Sequence, residues 1–249
     1  MYQKERIEKI LRILQCNGYV TVKQLTEELR YSPATIHRDL NMLAQAGKIK
    51  RTYGGVEVKE ETTVPVMSRY EQAKPAKKRI AKRAAELIAN GDTVFMDGST
   101  TVQYMGEYLL EKKDLTVLTN NTALSSLLSE YGITVIVLGG RVVEAPYMLG
   151  GAEAVEAASH YRADKCFFST AFVSPLGEMS YTGDVFFSLH RTMIRNSKES
   201  FYLVDGDKVD PSGGKVILGD LSLASTVISD HDFGKVLKEN FPHTHQILV

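Results

Sequence analysis

Ser32-Pro33-Ala34-Thr35-Ile36-His37-Arg38-Asp39-Leu40-Asn41-Met42-Leu43 is the stretch around which the rest of the chain is arranged. The Ser32 hydroxyl can accept from an orphan backbone N–H. Pro33 then stands at the first helical position, where a missing N–H costs nothing. Ile36, Leu40 and Leu43 recur at helical spacing and form one apolar stripe. Thr35, His37, Arg38 and Asn41 fall off that stripe and can face outward. A buried back with a polar, cation-bearing front suits a helix that enters DNA. An ordinary amphipathic surface helix carries the same pattern, so the neighbours decide.

Residues 3–16 read as a helix with Ile7, Ile10, Leu11 and Leu14 on one face, stopped by Asn17-Gly18. Thr21-Val22-Lys23-Gln24 is a capping box: Thr21 caps and Gln24 reaches back. It opens a second helix with Val22, Leu25 and Leu29 inward, and Arg30-Tyr31 turns into the Ser32 helix. Three short helices this close together make a helix-turn-helix, whose last helix enters the major groove. Gly47 ends it. Residues 48–58 then read as a β-hairpin turning at Gly54-Gly55, with Val56 and Val58 alternating after the turn. Lys48, Lys50 and Arg51 make its first strand basic. After a helix-turn-helix this is better read as a wing touching phosphates than as a merely solvated hairpin.

Residues 1–58 resemble the N-terminal domain of the DeoR family of bacterial transcription regulators. The family's Thr-Ile-Arg-Arg-Asp-Leu helix appears as Thr35-Ile36-His37-Arg38-Asp39-Leu40, and its Arg-x-His-Gly-Gly wing as Arg51-Thr52-Tyr53-Gly54-Gly55. The resemblance implies DNA contacts from Ser32, Thr35, His37, Arg38, Asn41, Arg51, Tyr53, Gly54 and Gly55. His37 and Tyr53 depart from the pattern. Arginine pairs bidentately with guanine and neutral histidine does not, so the base preference differs.

The 249 residues suffice for two domains. No apolar run reaches the roughly 20 residues that span a bilayer, and the charged start is not a signal peptide. Cys16 and Cys166 lie far apart, which excludes a disulfide framework and fits a reducing cytoplasm. A net charge of zero hides an asymmetry: residues 1–60 hold 11 Lys/Arg against 7 Asp/Glu, and the remainder holds 19 against 23. A basic N-terminal part on an acidic body suits nucleic-acid binding with a separate partner domain.

Residues 59–75, with Pro65 and Pro75, read as a linker. From 76 to 249 helices alternate with short apolar strands at 93–96, 115–118 and 134–138, and further strands are predicted at 165–171, 200–204, 215–218 and 226–229. Helices are predicted around 78–88, 102–110, 122–128, 152–160 and 184–197. The predicted fold class is α/β: an N-terminal winged helix-turn-helix and an open, largely parallel α/β domain.

Ligands of such sheets bind beyond the strands' carboxyl ends. Asp97-Gly98-Ser99-Thr100-Thr101 offers N–H groups and hydroxyls to an anion. Asn120 and Asn121 offer amides to sugar hydroxyls, and Gly139-Gly140-Arg141 offers close approach and a cation. Asp205-Gly206-Asp207-Lys208 puts a carboxylate and a lysine after another strand. The family resemblance extends here. It implies a domain like the ribose-5-phosphate isomerase and coenzyme A transferase fold, with Asp205 and Lys208 recognising a phosphorylated sugar and Asp207 standing where the family has serine. An enzyme reading, a sugar-phosphate isomerase or transferase using Asp97, Asp205, Asp207 and Lys208, leaves the N-terminal domain without a task.

His243-Thr244-His245 reads as a solvated tail rather than a metal site, and Cys166 as a buried strand residue. Phosphate-loop, nucleophile-elbow and dinucleotide motifs are absent, so no cofactor is expected. The expected partners are double-stranded operator DNA, a small phosphorylated effector and a second copy or more, as homodimer or homotetramer, with no membrane.

Overall fold

The computed structural model describes residues 6, 7, 9–11, 13, 14, 19–45, 49–52, 54–58, 66–144 and 147–249. The chain divides into two compact units, Met1–Thr62 and Thr63–Val249. Asn17-Gly18, Gly47, Tyr53 and Pro65 lie outside the described residues.

In the first unit the described residues between 6 and 14 are helical (α1). Strand β1 (Tyr19–Thr21) leads into α2 (Val22–Leu29), then α3 (Pro33–Gln45), β2 (Ile49–Thr52) and β3 (Gly55–Val58). The predicted capping box forms: Gln24 N–H donates to the Thr21 hydroxyl and Thr21 N–H to Gln24 Oε1 at 2.8 Å. Arg30 closes α2 in the left-handed region, which makes the turn tight. Ile36, Leu40 and Leu43 are buried with Ile10, Leu14, Leu25, Ile49 and Val56, as the helical period predicts. The hairpin gains a third strand that the sequence reading omits, since β3 lies between β1 and β2. Gly55 lies where a Cβ would meet the Tyr19 ring and the Val20 carbonyl, and Gly54 takes a positive φ.

The second unit is built on a seven-stranded parallel sheet, ordered β15-β14-β12-β9-β4-β5-β6. These strands are β4 (Thr93–Met96), β5 (Thr116–Thr119), β6 (Thr134–Val137), β9 (Ala163–Phe168), β12 (Ser197–Val204), β14 (Thr226–Ser229) and β15 (His245–Leu248). Alternate residues feed two cores. Val94, Met96, Val117 and Leu203 pack under α5 (Lys74–Glu86) and α7 (Thr122–Glu130). Phe95, Leu118, Cys166 and Tyr202 pack under α8 (Ala152–Ser159), α9 (Phe187–Arg195) and α10 (Gly234–Asn240). Burial on both faces is why these strands read as apolar runs. The chain leaves β4 towards β5 and β6 but leaves β9 towards β12 and β14, so the strand order reverses between β4 and β9. Such a reversal opens a crevice at the strands' carboxyl ends.

Several expectations are corrected. Part of the predicted linker is helical: α4 (Val66–Glu71) and the start of α5 fall within it, and Pro75 occupies the first turn of α5, where its missing N–H is harmless. The strand predicted at 215–218 is β13 (Val216–Asp220). It leaves the parallel sheet to pair antiparallel with β11 (Glu178–Tyr181), beside β10 (Phe172–Val173). A second antiparallel pair, β7 (Arg141–Glu144) and β8 (Met148–Gly150), follows β6. The predicted tail instead buries Thr244, whose hydroxyl donates to the Leu221 and Ala224 carbonyls, and His245 opens β15. The helix predicted at 102–110 is four residues long, α6 (Thr100–Gln103), and continues as a 3-10 turn.

The least expected feature of the first unit is ionic. Asp39, inside the deciding stretch, is fully buried and takes both oxygens to Arg6, whose Nε and Nη2 donate to it. The Arg6 guanidinium also lies 4.7 Å over the Tyr31 ring, so the pair pins α1 to the back of α3. Removing one member of a buried pair strands the other charge, at a cost of about 3–5 kcal/mol, whereas apolar replacement of both is far milder. Asp39→Ala is therefore expected to destabilise the first unit by that amount in urea unfolding of the full chain, and Arg6→Met with Asp39→Leu to recover most of it.

Candidate functional site

In the first unit α3 turns His37, Arg38 and Asn41 outward and keeps Ile36, Asp39, Leu40 and Leu43 inward. Ser32 caps the helix, since its oxygen accepts from Thr35 N–H at 3.3 Å and lies 2.9 Å from the Thr35 hydroxyl. Those two predicted contact residues thus also spend polar atoms on each other. Arg38 shares a recess with Arg6, Ala34 and Thr35 at the first turn of α3. Exposed Lys50 and Arg51 stand on β2 beside this face, and the Arg51 side chain reaches His37 and Asn41. Gly54 and Gly55 shape the wing by turning and close packing. Tyr53 lies outside the described residues.

In the second unit the chemistry gathers at the β4/β9 reversal. Asp97 ends β4 and is fully buried. Its Oδ1 accepts from Ser99 N–H at 2.9 Å and from the Ser99 hydroxyl at 2.6 Å, and its Oδ2 accepts from Ser169 N–H at 2.9 Å. The Ser169 hydroxyl in turn accepts from Lys208 Nζ at 2.7 Å. One chain of contacts therefore joins the ends of β4 and β9 to the lysine after β12. The stretch Asp97–Thr101 was expected to hold an outside anion. Instead the Asp97 carboxylate itself takes the Ser99 N–H, while Thr100 and Thr101 are buried.

Asn120 and Asn121 part company. Asn121 caps α7, accepting from Ala123 and Leu124 N–H, and its amide donates to Gln103 Oε1 at 2.7 Å. Asn120 donates to the Leu149 carbonyl at 2.8 Å, and its buried Oδ1 has no hydrogen-bond partner among the described residues. The same is true of Oδ2 of Asp205, which is buried at the end of β12. Gly98 lies against Met148, where a Cβ would come within 2.7 Å of the methyl. Gly139 and Gly140 serve the hairpin: a Cβ at Gly140, where φ is +98°, would meet the Gly150 carbonyl. Arg141 is exposed and makes no hydrogen bond or ion pair with Asp97, Asp205 or Lys208 among the described residues.

Sequence reasoning missed Lys77, Arg69, Ser169 and His190. Lys77 is buried on α5 and donates to the Arg69 carbonyl at 2.7 Å. Burial first, and then the charge of Lys208, push its ammonium down to about 8, against the opposing pull of Asp205. Burial also lowers Lys208, which Asp205 and Asp97 oppose. Arg69, Lys77 and Lys208 thus stand within electrostatic reach of one another, and the two lysines within reach of Asp205. The signal for Lys77 was its place on the stripe with Ala81, Ala84 and Ile88, one residue before the helix predicted around 78–88. His190 is buried in α9, its Nε2 3.3 Å from Asp97 Oδ2 and its Nδ1 against the Tyr181 hydroxyl. Its signal was helical spacing with Phe186 and Met193. Cys166 is buried, and burial raises its thiol, as befits a core residue. Among the described residues no cluster of metal-binding side chains occurs, and no helix is long and apolar enough to cross a membrane.

Two family models match: the DeoR-like helix-turn-helix domain over residues 6–62 and the DeoR C terminal sensor domain over residues 72–231. The chain is 32% identical over 212 residues to the HTH-type transcriptional repressor GlcR of Bacillus subtilis (strain 168), covering 84% of this chain and 81% of that one. It is 28% identical over 232 residues to the glycerol-3-phosphate regulon repressor of Escherichia coli (strain K12), covering 92% of each. Among solved structures, ribose 5-phosphate isomerase A of Methanocaldococcus jannaschii has a TM-score of 0.42 at 16% identity, over 56% of each chain. With both halves matched in order over nearly its whole length, the chain belongs to the DeoR family of helix-turn-helix transcription regulators.

Proposed function

We propose that this chain represses an operon of carbohydrate metabolism, and that a small phosphorylated sugar bound in the second unit releases it from double-stranded operator DNA. The observation that carries this reading is the crevice at the β4/β9 reversal. Lys208, tied to Ser169 there, lies within electrostatic reach of Arg69 and of Lys77, a repulsion that a bound dianion would relieve. Beside them Asn120 Oδ1 and Asp205 Oδ2 are buried acceptors without partners among the described residues. Cations with spare acceptors suit a phosphate that carries hydroxyl groups.

An acid–base role for Asp97 is disfavoured, because Ser99 and Ser169 already occupy both of its oxygens. The exposed His37, Arg38 and Asn41 would read bases, with Thr35 and Ser32 at the helix start and the wing on the backbone. One such domain makes few contacts. A symmetric homodimer or homotetramer in the cytoplasm, doubling them on a palindromic site, completes the reading.

The effector is tested by titrating the repressor–operator complex with a panel of sugar phosphates in fluorescence anisotropy. One of them is expected to weaken binding by tenfold or more, a coupling of roughly 1.4 kcal/mol. Lys208→Met is expected to keep its operator affinity and lose that release. Loss of DNA binding itself in this variant would sink the assignment.

Lys77 adds a pH signature. Its ammonium is depressed to about 8, so it is charged below that pH and neutral above. A phosphate, dianionic above its second pKa of roughly 6, requires the charged form and lifts the depressed value on binding. Effector affinity is therefore expected to fall as pH rises through 8, by up to about tenfold per unit. Calorimetry near pH 9 in buffers of different ionisation enthalpy should show net proton uptake on binding, and Lys77→Met should flatten both effects.

A further inference from the structure

Arg51 was expected to touch the DNA backbone, yet its guanidinium lies against two side chains of α3. Nη1 donates to Asn41 Oδ1, and Nη2 meets His37 Nδ1 at 2.7 Å. A guanidinium has only donors and stays charged, so chemistry alone fixes the direction of both bonds. His37 must offer a bare Nδ1, which leaves its ring proton on Nε2. Asn41 must turn its oxygen to Arg51, which leaves its NH₂ for whatever faces the helix. The two residues are one turn apart on the exposed face, so their groups point to neighbouring places. The helix therefore presents donors at both positions.

In the major groove guanine shows two acceptors, N7 and O6. Adenine shows one acceptor and one donor, cytosine a donor, and thymine one acceptor beside a methyl group. A donor pair finds both its acceptors on guanine, one on thymine, and meets an N–H group on adenine and cytosine. Without Arg51 the Asn41 amide could turn over, and an unrestrained amide pairs bidentately with adenine N6 and N7. The clamp is well mounted: Ile49 anchors β2 in the core, and Arg51 stands opposite Val56 in the β2–β3 ladder.

We infer that Arg51 is a positioning residue for sequence recognition, holding His37 and Asn41 as hydrogen-bond donors and so setting a preference for guanine where they reach the DNA. This rests on the reading of α3 as the DNA-reading helix. It gives the wing arginine a share in base choice, although it touches no base.

The test is selection of binding sites by the full chain from a randomised double-stranded DNA library, followed by sequencing. His37→Ala identifies the positions this face reads, as those where its base profile changes. At these positions the native chain is expected to prefer guanine over adenine by about tenfold. Arg51→Met and Arg51→Ala are expected to lose that discrimination there and keep it elsewhere. Replacing the guanine by 7-deazaguanine, which lacks the N7 acceptor, should weaken the native chain and leave the Arg51 variants nearly unaffected.

Two outcomes overturn the inference while leaving α3 as the reader. One is a native preference for cytosine, adenine or thymine at these positions. The other is an Arg51 variant whose affinity falls equally for every sequence, with guanine preference intact and a salt dependence reduced by about one phosphate contact. Enrichment of no sequence by the native chain would overturn the reading of α3 and this inference with it.

Discussion

The second unit depends on one buried carboxylate. Asp97 stands where the crossovers of the parallel sheet part in opposite directions, between the ends of β4 and β9. A charge taken out of water there is tolerable only if donors surround it. Two backbone N–H groups and a hydroxyl from Ser99 and Ser169 do so, and because the N–H groups belong to the main chain they hold both strand ends in place. Ser169 then fixes Lys208 through its hydroxyl. The carboxylate thus holds the ends of β4 and β9 together at the reversal. It also lowers the cost of placing lysines nearby, since Asp97 and Asp205 both favour the charged form of Lys208.

Behind Asp97 lies His190, clasped between the carboxylate and the Tyr181 hydroxyl. Burial favours its neutral form, which Asp97 opposes. Neutral imidazole offers one donor and one acceptor. Here Nδ1 meets the phenol, while Nε2 lies 3.3 Å from the carboxylate without forming a hydrogen bond among the described residues. Tyr181 belongs to β11 and His190 to α9, and Phe186 stacks on the imidazole with centroids 6.1 Å apart. Phe186 packs with Met148, and Met148 abuts Gly98 beside Asp97. The small antiparallel sheet and the β7–β8 hairpin are therefore tied to the crevice through contiguous contacts, not merely appended to the larger sheet.

What could be read from the sequence follows the range over which each feature is encoded. The strands at 93–96, 116–119 and 226–229 were legible because burial on both faces makes an apolar run. The face of α3 was legible because helical period is local. β11 was not, since it is four residues long and pairs only within one small sheet; β13 was read as a strand, but its place outside the parallel sheet is set by pairing with β11 and is not encoded locally. β15 was hidden by the imidazoles beside buried Thr244. Asp39 was quoted without a role because its partner Arg6 lies 33 residues away. Lys77 was passed over because a charge counts as surface unless its place on an apolar stripe is weighed first. The contact of Arg51 with His37 and Asn41 was not legible, because strand position shows that a side chain is exposed, not which helix it leans on.

The two units solve one problem in the same way. Each places an aspartate behind its working surface and lets fixed donors hold it: Arg6 behind α3, Ser99 and Ser169 behind the crevice. The cations in front are mounted on different elements. Lys208 is tied to the ends of a rigid sheet, whereas Arg69 and Lys77 sit on α4 and α5, the first helices of the second unit. A ligand moves an equilibrium only as far as it binds the two states unequally. An anion held by the sheet alone would bind both states alike and shift nothing. On the function proposed above, an anion that also engaged Arg69 and Lys77 would meet groups borne by the first helices after the helix-turn-helix unit in the chain, and only such a contact would give it a route to unequal binding.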